Sequence, residues 1–352
     1  MLRMSAAPRP VLLAAPEIAA PTATFRGVDM SANFVADCLR DCLRDCLRGS
    51  SAWRRSLIER PSHADAWVAD GRRSPTTVSI RIRENNSRRK QSMAYEFCRV
   101  EREGPLTIVT LNRPEVMNAM HSPAHFELDS VFNDFANDPQ QWVAIVTGAG
   151  DRAFSAGNDL KWQAAGGRRD WPESGFAGLT LRTNLDKPLI AAVNGIAMGG
   201  GFEIALACDL IVAAEGAIFA LPEPRVGLAA LAGGLHRLPR AIGLKRAMGM
   251  IMTGRRVGAA EGKELGFVNE VVPAADLMPT ARRLAAQILE LSPMSIRASK
   301  QTVLRGLDEP SLDAAMKNQA AYPAVVAMRA SKDVVEGPLA FSEKRPPRWS
   351  GS

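Results

Sequence analysis

The chain has 352 residues, 46% of them hydrophobic and 23% charged, the composition of a soluble globular protein with room for one large or two ordinary domains. Its net charge of +7 would suggest a nucleic-acid or membrane partner, but the charge is unevenly placed. Residues 1–92 hold 16 Lys and Arg against 9 Asp and Glu, whereas residues 93–352 hold 28 of each, so the body carries no net basic field.

Residues 1–92 do not read as a domain. Ala/Pro-rich sequence leads into DCLRDCLRDCLR (37–48), a perfect tetrapeptide triplet, and then into Arg/Ser-rich sequence. No hydrophobic period lasts long enough to build a core. We expect a disordered or misassigned leader ahead of an ordinary start at Met93. An organellar transit peptide, weakened by Glu17 and Asp29, and a regulatory arm are the alternatives. The expected location of the body is cytoplasmic. Of the five cysteines, Cys38, Cys42 and Cys46 lie in the repeat, while Cys98 and Cys208 stand alone in apolar contexts, which fits a reducing compartment. There is no CxxC and no His/Cys cluster, so no metal is expected. His121 and His125, four apart, could share a helix face.

From Met93 the signals are regular. Residues 95–114 predict two strands around a Gly-Pro turn. Ser122-Pro123 predicts a helix to about Asn137, with Ser122 as its cap. WVAIVTGAG (142–150) predicts a buried strand, and AFSAGNDL (153–160) a turn leading towards a helix. Strand 188–195, helix 200–208, strand 210–214 and strand 217–221 follow. Helical periodicity dominates from about 238 to 345, interrupted by the strand-like LGFVNEVVP (265–273). Strand-turn-helix units in succession predict an α/β core over 93–290 with parallel pairing, then a C-terminal helical region over 291–352.

The stretch VNGIAMGGGFEIALACDL (193–210) organises the rest. An apolar strand runs through Asn-Gly into Gly199, Gly200 and Gly201, and then into a helix with Glu203 in its first turn. A helix opening on glycines presents free N–H groups and a positive dipole end, suited to an oxygen that becomes an anion during reaction. Glu203 adds a candidate acid or base beside that spot. Read alone, the same glycines could simply permit close packing.

LNRPEVMNAM (111–120), AFSAGNDLK (153–161), KPLIAAVNGIAMGGGFEIALACD (187–209), FALPEPRVGL (219–228) and EGPLAFSEKRPP (336–347) together resemble the enoyl-CoA hydratase/isomerase, or crotonase, superfamily. Five motifs match in order over essentially all of 94–350. The resemblance implies a crotonase-like spiral of β-β-α units with a C-terminal helical trimerisation region. It implies an oxyanion hole for a thioester carbonyl, made by the N–H groups of Asn158 and Gly200. It places Glu203 and Glu223 at the two acid/base positions of the hydratases. It puts the coenzyme A part of the substrate along Glu115, Val116 and Asn118 and along Ala156, Asp159 and Leu160, with Pro222 also at the substrate. A neighbouring subunit would supply Phe341 and Lys344, which implies a homotrimer or a dimer of trimers. No separate cofactor is implied, since coenzyme A belongs to the substrate.

These matches imply a lyase of the fatty-acid type, an enoyl-CoA hydratase or dehydratase that adds or removes water across the α,β double bond. Another acyl-CoA reaction such as isomerisation, which typically needs only the second glutamate, is the alternative. A non-catalytic RNA-binding member is a further one, disfavoured by the neutral body. SGFAGLT (174–180), NLDKP (184–188) and GFVNEVV most resemble the carnitinyl-CoA (crotonobetainyl-CoA) dehydratase group. GLAALAGGLHRLPR (227–240) departs from the proline-containing loop usual there. Trp162, Trp171 and Phe176, with Asp170 and Glu173, could cage a trimethylammonium group. Packing of a lid or an acyl tail is the plainer role for such aromatics.

Overall fold

The computed structural model describes residues 95–352, so the expectations for 1–92 lie outside the described residues. Strands β1 (Cys98–Glu103) and β2 (Leu106–Leu111) form the expected hairpin, in antiparallel register from Cys98↔Leu111 to Glu103↔Leu106. Helix α1 (Ser122–Asn137) follows. It buries Ala124, Leu128, Val131, Phe132 and Phe135, spaced along one face at the helical period. The expected cap is corrected here. His121 is the N-cap residue and Ser122 the first helical one, since the His121 carbonyl accepts the His125 N–H at 3.1 Å; the Ser122 hydroxyl donates to Asp170.

Three successive passes then place one strand in each of two sheets. Strand β3 (Val143–Gly148) is followed by β4 (Ala153–Ser155) and the short helix α2 (Leu160–Ala164). Strand β5 (Leu189–Val193) is followed by β6 (Ile196–Met198) and helix α3 (Gly200–Ala207). Strand β7 (Leu210–Ala214) is followed by β8 (Ile218–Ala220) and a 3-10 turn, Glu223–Val226. Helices α4 (Gly234–Ile242) and α5 (Leu244–Thr253), strand β9 (Val257–Gly258), helix α6 (Ala259–Leu265), strand β10 (Glu270–Val272) and helix α7 (Leu277–Leu289) complete the core.

The larger sheet runs β1-β2-β3-β5-β7-β10, parallel throughout except for the hairpin, and the smaller runs β4-β6-β8-β9. The chain therefore advances as a spiral of β-β-α turns, as the resemblance implied. Sequence periodicity missed β4 and β6 as strands of their own. Three residues carry too little pattern to show a period of two.

The central strands are nearly all apolar because both of their faces are covered; Thr147 in β3 is polar, and its hydroxyl donates to the Ala192 carbonyl at 2.8 Å. In β3, Ala144 and Val146 join the main core beneath α1 and α3, while Val143 and Ile145 pack with Leu277, Ala281 and Ala285 of α7. In β5, Leu189, Ala191 and Val193 face the first cluster, and Ile190 and Ala192 the second.

Helices α8 (Pro293–Gly306), α9 (Leu312–Asn318), α10 (Pro323–Arg329) and α11 (Asp333–Ser342) form the C-terminal region. It is tied to the core by polar contacts. Lys300 Nζ donates to Asp209 Oδ2 (2.8 Å) and to the Lys187 carbonyl (2.9 Å), and Gln301 Nε2 donates to Asp186 Oδ2 (2.9 Å). Val303, Leu307, Leu312 and Met316 project apolar side chains into solvent. Among the described residues, no helix is long and apolar enough to cross a membrane.

Candidate active site

The site lies where β4, β6 and β8 end. Gly199 turns the chain from β6 into α3 with φ 54° and ψ −125°, a backbone state that requires glycine. A Cβ there would also stand 2.9 Å from Glu223 Oε1. Gly200 then opens α3, and its N–H, first in the helix, has no intrahelical acceptor.

The second donor comes from the parallel bridge between Met120 and Asn158. Met120 donates its N–H to the Gly157 carbonyl and accepts from the Asp159 N–H, both at 2.8 Å. In such a bridge the N–H of the middle residue points away from its partner strand, so the Asn158 N–H turns to the opposite side. The adjoining Gly157 (φ +88°) packs on the start of α3, where a Cβ on it would stand 2.9 Å from the Gly200 nitrogen. The segment that carries Asn158 and the head of α3 that carries Gly200 therefore lie side by side. The Asn158 side chain is used elsewhere, its Nδ2 donating to Gln163 Oε1 at 2.9 Å.

Two carboxyl groups stand near the start of α3. Glu203 is buried one turn into α3, and its Oε1 accepts the Gly234 N–H at 2.8 Å. Burial pushes its pKa up to about 7; the Gly234 N–H opposes that rise, and the neighbouring Glu223 adds to it. Glu223 is half-buried in the 3-10 turn after β8, and burial raises its pKa as well. Its Oε2 is buried without a hydrogen-bond partner, the state of an acceptor that faces a site.

Phe176 packs against Gly200. A Cβ on Gly200 would meet its Cζ at 2.4 Å. The ring is held from behind by His125, with centroids 4.4 Å apart. His125 Nδ1 accepts the Ala177 N–H at 2.9 Å, and burial lowers its pKa to about 4, so the imidazole is neutral. Trp171 meets the same ring edge-on at 6.2 Å.

The aromatic residues named in the sequence therefore split. Trp171 and Phe176 gather on His125, whereas Trp162 packs on His121, itself edge-on to Phe97. Asp170 is tied to Ser122 and Arg168, so an arginine already balances that half of the expected acidic cage.

The segment after LNRP and the segment 156–160 lie side by side, joined by the Ala156 N–H to Met117 carbonyl bond (2.9 Å) and the Met120 bridge. Glu115 and Leu160 are exposed, and Val116, Ala156 and Pro222 half-exposed, available to a ligand. Asn118 and Asp159 differ, because both side chains serve the scaffold. Asn118 is fully buried; its Nδ2 donates to the Ala149 and Ala153 carbonyls and its Oδ1 accepts the Arg113 N–H. Asp159 caps α2 through the Trp162 N–H (3.0 Å) and pairs with Arg113 at 3.0 Å. The expectation of coenzyme A contact at these two positions narrows to their main chain. Phe341 (87% exposed) and Lys344 stand on and just beyond α11, open to a neighbouring molecule.

Sequence reasoning missed Arg113, Gly234 and Arg237. Arg113 lies inside a quoted motif, but nothing local marks its pairing with Asp159. Gly234 and Arg237 belong to the departing segment 227–240, and their partners are distant in the chain.

Comparison with known proteins agrees with this geometry. The family model described as Enoyl-CoA hydratase/isomerase matches residues 101–352. A carnitinyl-CoA dehydratase from Escherichia coli is 47% identical over 266 residues, covering 73% of this chain and 99% of its own length. One from Citrobacter koseri is 45% identical over 266 residues, with the same coverage of both chains. Among solved structures, an enoyl-CoA hydratase from Mycobacterium marinum superposes with a TM-score of 0.69 at 37% identity, over 73% of this chain and all of its own. A carnitinyl-CoA hydratase from Mycobacterium avium does so with a TM-score of 0.58 at 37% identity, over 74% of this chain and all of its own.

Proposed function

Because the chain belongs to the enoyl-CoA hydratase/isomerase family, we propose that it is a hydro-lyase that adds water to, or removes it from, the α,β double bond of an enoyl-CoA thioester. The observation that carries this reading is the pair Glu203 and Glu223, two carboxyl groups with raised pKa values near the start of α3.

The Asn158 and Gly200 N–H groups donate to the thioester oxygen held between them. A water molecule sits between the two carboxyl groups, one ionised and one protonated. The ionised carboxylate takes a proton from water as the C–O bond forms at the β-carbon. The π electrons move onto the thioester oxygen, where the two donors stabilise the enolate by about 3–4 kcal/mol per donor. The protonated carboxyl then gives its proton to the α-carbon and the carbonyl re-forms. The pair begins and ends with one proton, held by the other carboxyl, so the same site runs in both directions. Raised pKa values favour this shared-proton state near neutral pH. An isomerase needs only one carboxyl to shuttle a proton, and the second buried glutamate favours hydration.

Within this class we place the substrate with the carnitinyl-CoA type, on the strength of the relatives' identity. The exposed apolar residues of the C-terminal helices support a homotrimer or dimer of trimers in which Phe341 and Lys344 reach a neighbour's coenzyme A.

The test is turnover of a panel including crotonyl-CoA and crotonobetainyl-CoA, followed at the enoyl-thioester absorbance. Wild type turns over at least one member, and E203Q and E223Q each lose about 100- to 10,000-fold with acyl-CoA affinity kept. Full activity in either variant would exclude the paired mechanism.

A further inference from the structure

Arg237, on α4, has no part in the chemistry just described, yet its guanidinium sits at a junction. Nη2 donates to the Thr180 carbonyl at 2.8 Å. Nη1 lies so close under the Gly233–Gly234 turn that a Cβ on Gly233 would stand 2.1 Å from it. The Arg237 N–H donates to the Gly233 carbonyl at 2.8 Å. The turn in question presents the Gly234 N–H to Glu203. Thr180 in turn fixes the aromatic cover, since its Oγ1 accepts the Phe176 N–H at 3.0 Å.

The contacts make a closed circuit from Glu203 through Gly234, Arg237, Thr180 and Phe176 back to Gly200, at the head of the helix that carries Glu203. We propose that Arg237 is a positioning residue that couples the acid/base carboxyl of Glu203 to the aromatic cover over the oxyanion donors, holding the first by charge and the second by its bond to Thr180. This inference rests on the hydro-lyase reading of the same site.

The charges facing Glu203 are few. Glu223 acts from the 3-10 turn and raises its pKa; Arg237 acts from α4 and lowers it. The N–H groups of Gly234 and Ala232 lower it further. Strands β4 and β6 and the Phe176 turn present uncharged residues. Behind Arg237 lie Arg240, which opposes its charge, and Cys208, whose buried thiol is pushed far up and stays protonated. Among the described residues Arg237 is the cation that acts on Glu203, from a half-buried position, and its effect is smaller than those of burial, the two N–H groups and Glu223.

The test uses R237Q and R237K in the full chain, with pH profiles of kcat and kcat/KM on the substrate that wild type turns over best. In R237Q the ionisation due to Glu203 moves to higher pH, because the facing cation is gone, and kcat falls by up to about 100-fold as the cover loosens. In R237K the ionisation stays at its wild-type position, while kcat or KM still suffers because a lysine cannot hold both the turn and the Thr180 carbonyl. A fall in R237Q with an unmoved pH profile would reduce Arg237 to a structural role. Should R237Q fail to assemble, R237K decides alone, since wild-type kcat and KM there would overturn the coupling. Absence of any enoyl-CoA turnover by wild type would instead refute the hydro-lyase reading, before either variant is made.

Discussion

Gly200→Ala separates two demands that one glycine meets. The new Cβ would stand 2.4 Å from Cζ, 2.5 Å from Cε1 and 3.0 Å from Cε2 of Phe176. Carbon atoms in contact rest at about 3.5–4.0 Å, so ring and helix must part by about 1 Å. Phe176 has little slack, because its N–H is bonded to Thr180 and its ring is backed by His125. A misplacement of about 1 Å at a reacting centre costs on the order of 100-fold, and that is the expected loss of kcat in G200A. The N–H remains, and alanine suits a helix better than glycine by about 0.5–1 kcal/mol, so the loss is not one of helix stability. F176L removes the three clashing ring atoms, and G200A/F176L is expected to recover about 10-fold or more relative to G200A. On the F176L background, Gly200→Pro then isolates the donor. Proline fits the first position of a helix but carries no N–H, and the further loss should be about 100- to 1,000-fold. The assay is hydration followed by absorbance, with acyl-CoA binding measured by calorimetry and folding by circular dichroism. Wild-type kcat in G200A would refute the contact, and equal rates in G200A/F176L and G200P/F176L would refute the donor.

Asn158→Ala keeps the main-chain donor and removes only the bond to Gln163, worth about 0.5–1.5 kcal/mol, so kcat/KM should stay within about tenfold of wild type; a larger loss with the fold intact would make the amide a substrate contact. Asp159→Asn breaks a mostly buried pair with Arg113 and should lower stability in denaturant by about 3 kcal/mol or more, with a fall in kcat because Asp159 adjoins the Asn158 donor; an unchanged midpoint would show that the pair does not brace the site. The Glu203 carboxyl has a native pKa of about 7 against 4.5 for the free group, so its favourable contribution is full below 4.5 and is lost as pH rises through 7. E203Q should accordingly become more stable than wild type, by roughly 3 kcal/mol above pH 7 and by little near pH 4; a stability difference independent of pH would contradict the burial of an ionised group. A chain beginning at Met93 should fold and assemble as the full chain does, since the core residues start at Cys98; an insoluble product would contradict it.

The parts of this site legible in sequence are those carried by short local patterns. Gly199–Gly201 before an apolar run announced a helix opening on free donors, and Glu203 in the first turn came with it. Glu223 needed the Leu-Pro-Glu-Pro motif, because alone it reads as a surface residue in a proline turn. Residues whose role depends on a distant partner were not legible. Gly234 matters through a bond to a carboxyl 31 positions earlier, and Arg237 through a carbonyl 57 positions earlier. The motifs that hold Asn118 and Asp159 imply ligand contacts, and the role of their side-chain polar atoms in closing loops was not legible. Ser122 shows the same limit at a helix start, since its hydroxyl partner, Asp170, lies 48 positions away.

The spiral of paired sheets also bears on how the molecule comes to be active. Each parallel pairing joins segments tens of residues apart, as in Leu106↔Val143, Ile190↔Leu210 and Val212↔Glu270. Such a topology has a high contact order, and chain entropy must be lost before the pairings can reward it. The helices form on local contacts and need not wait. The Gly157–Gly200 approach and the Glu203–Gly234 bond do wait, since each closes only when separate turns of the spiral have docked. On dilution from denaturant, helical signal is expected to return ahead of turnover, and the interval between them contains both the docking of the turns and the assembly of subunits.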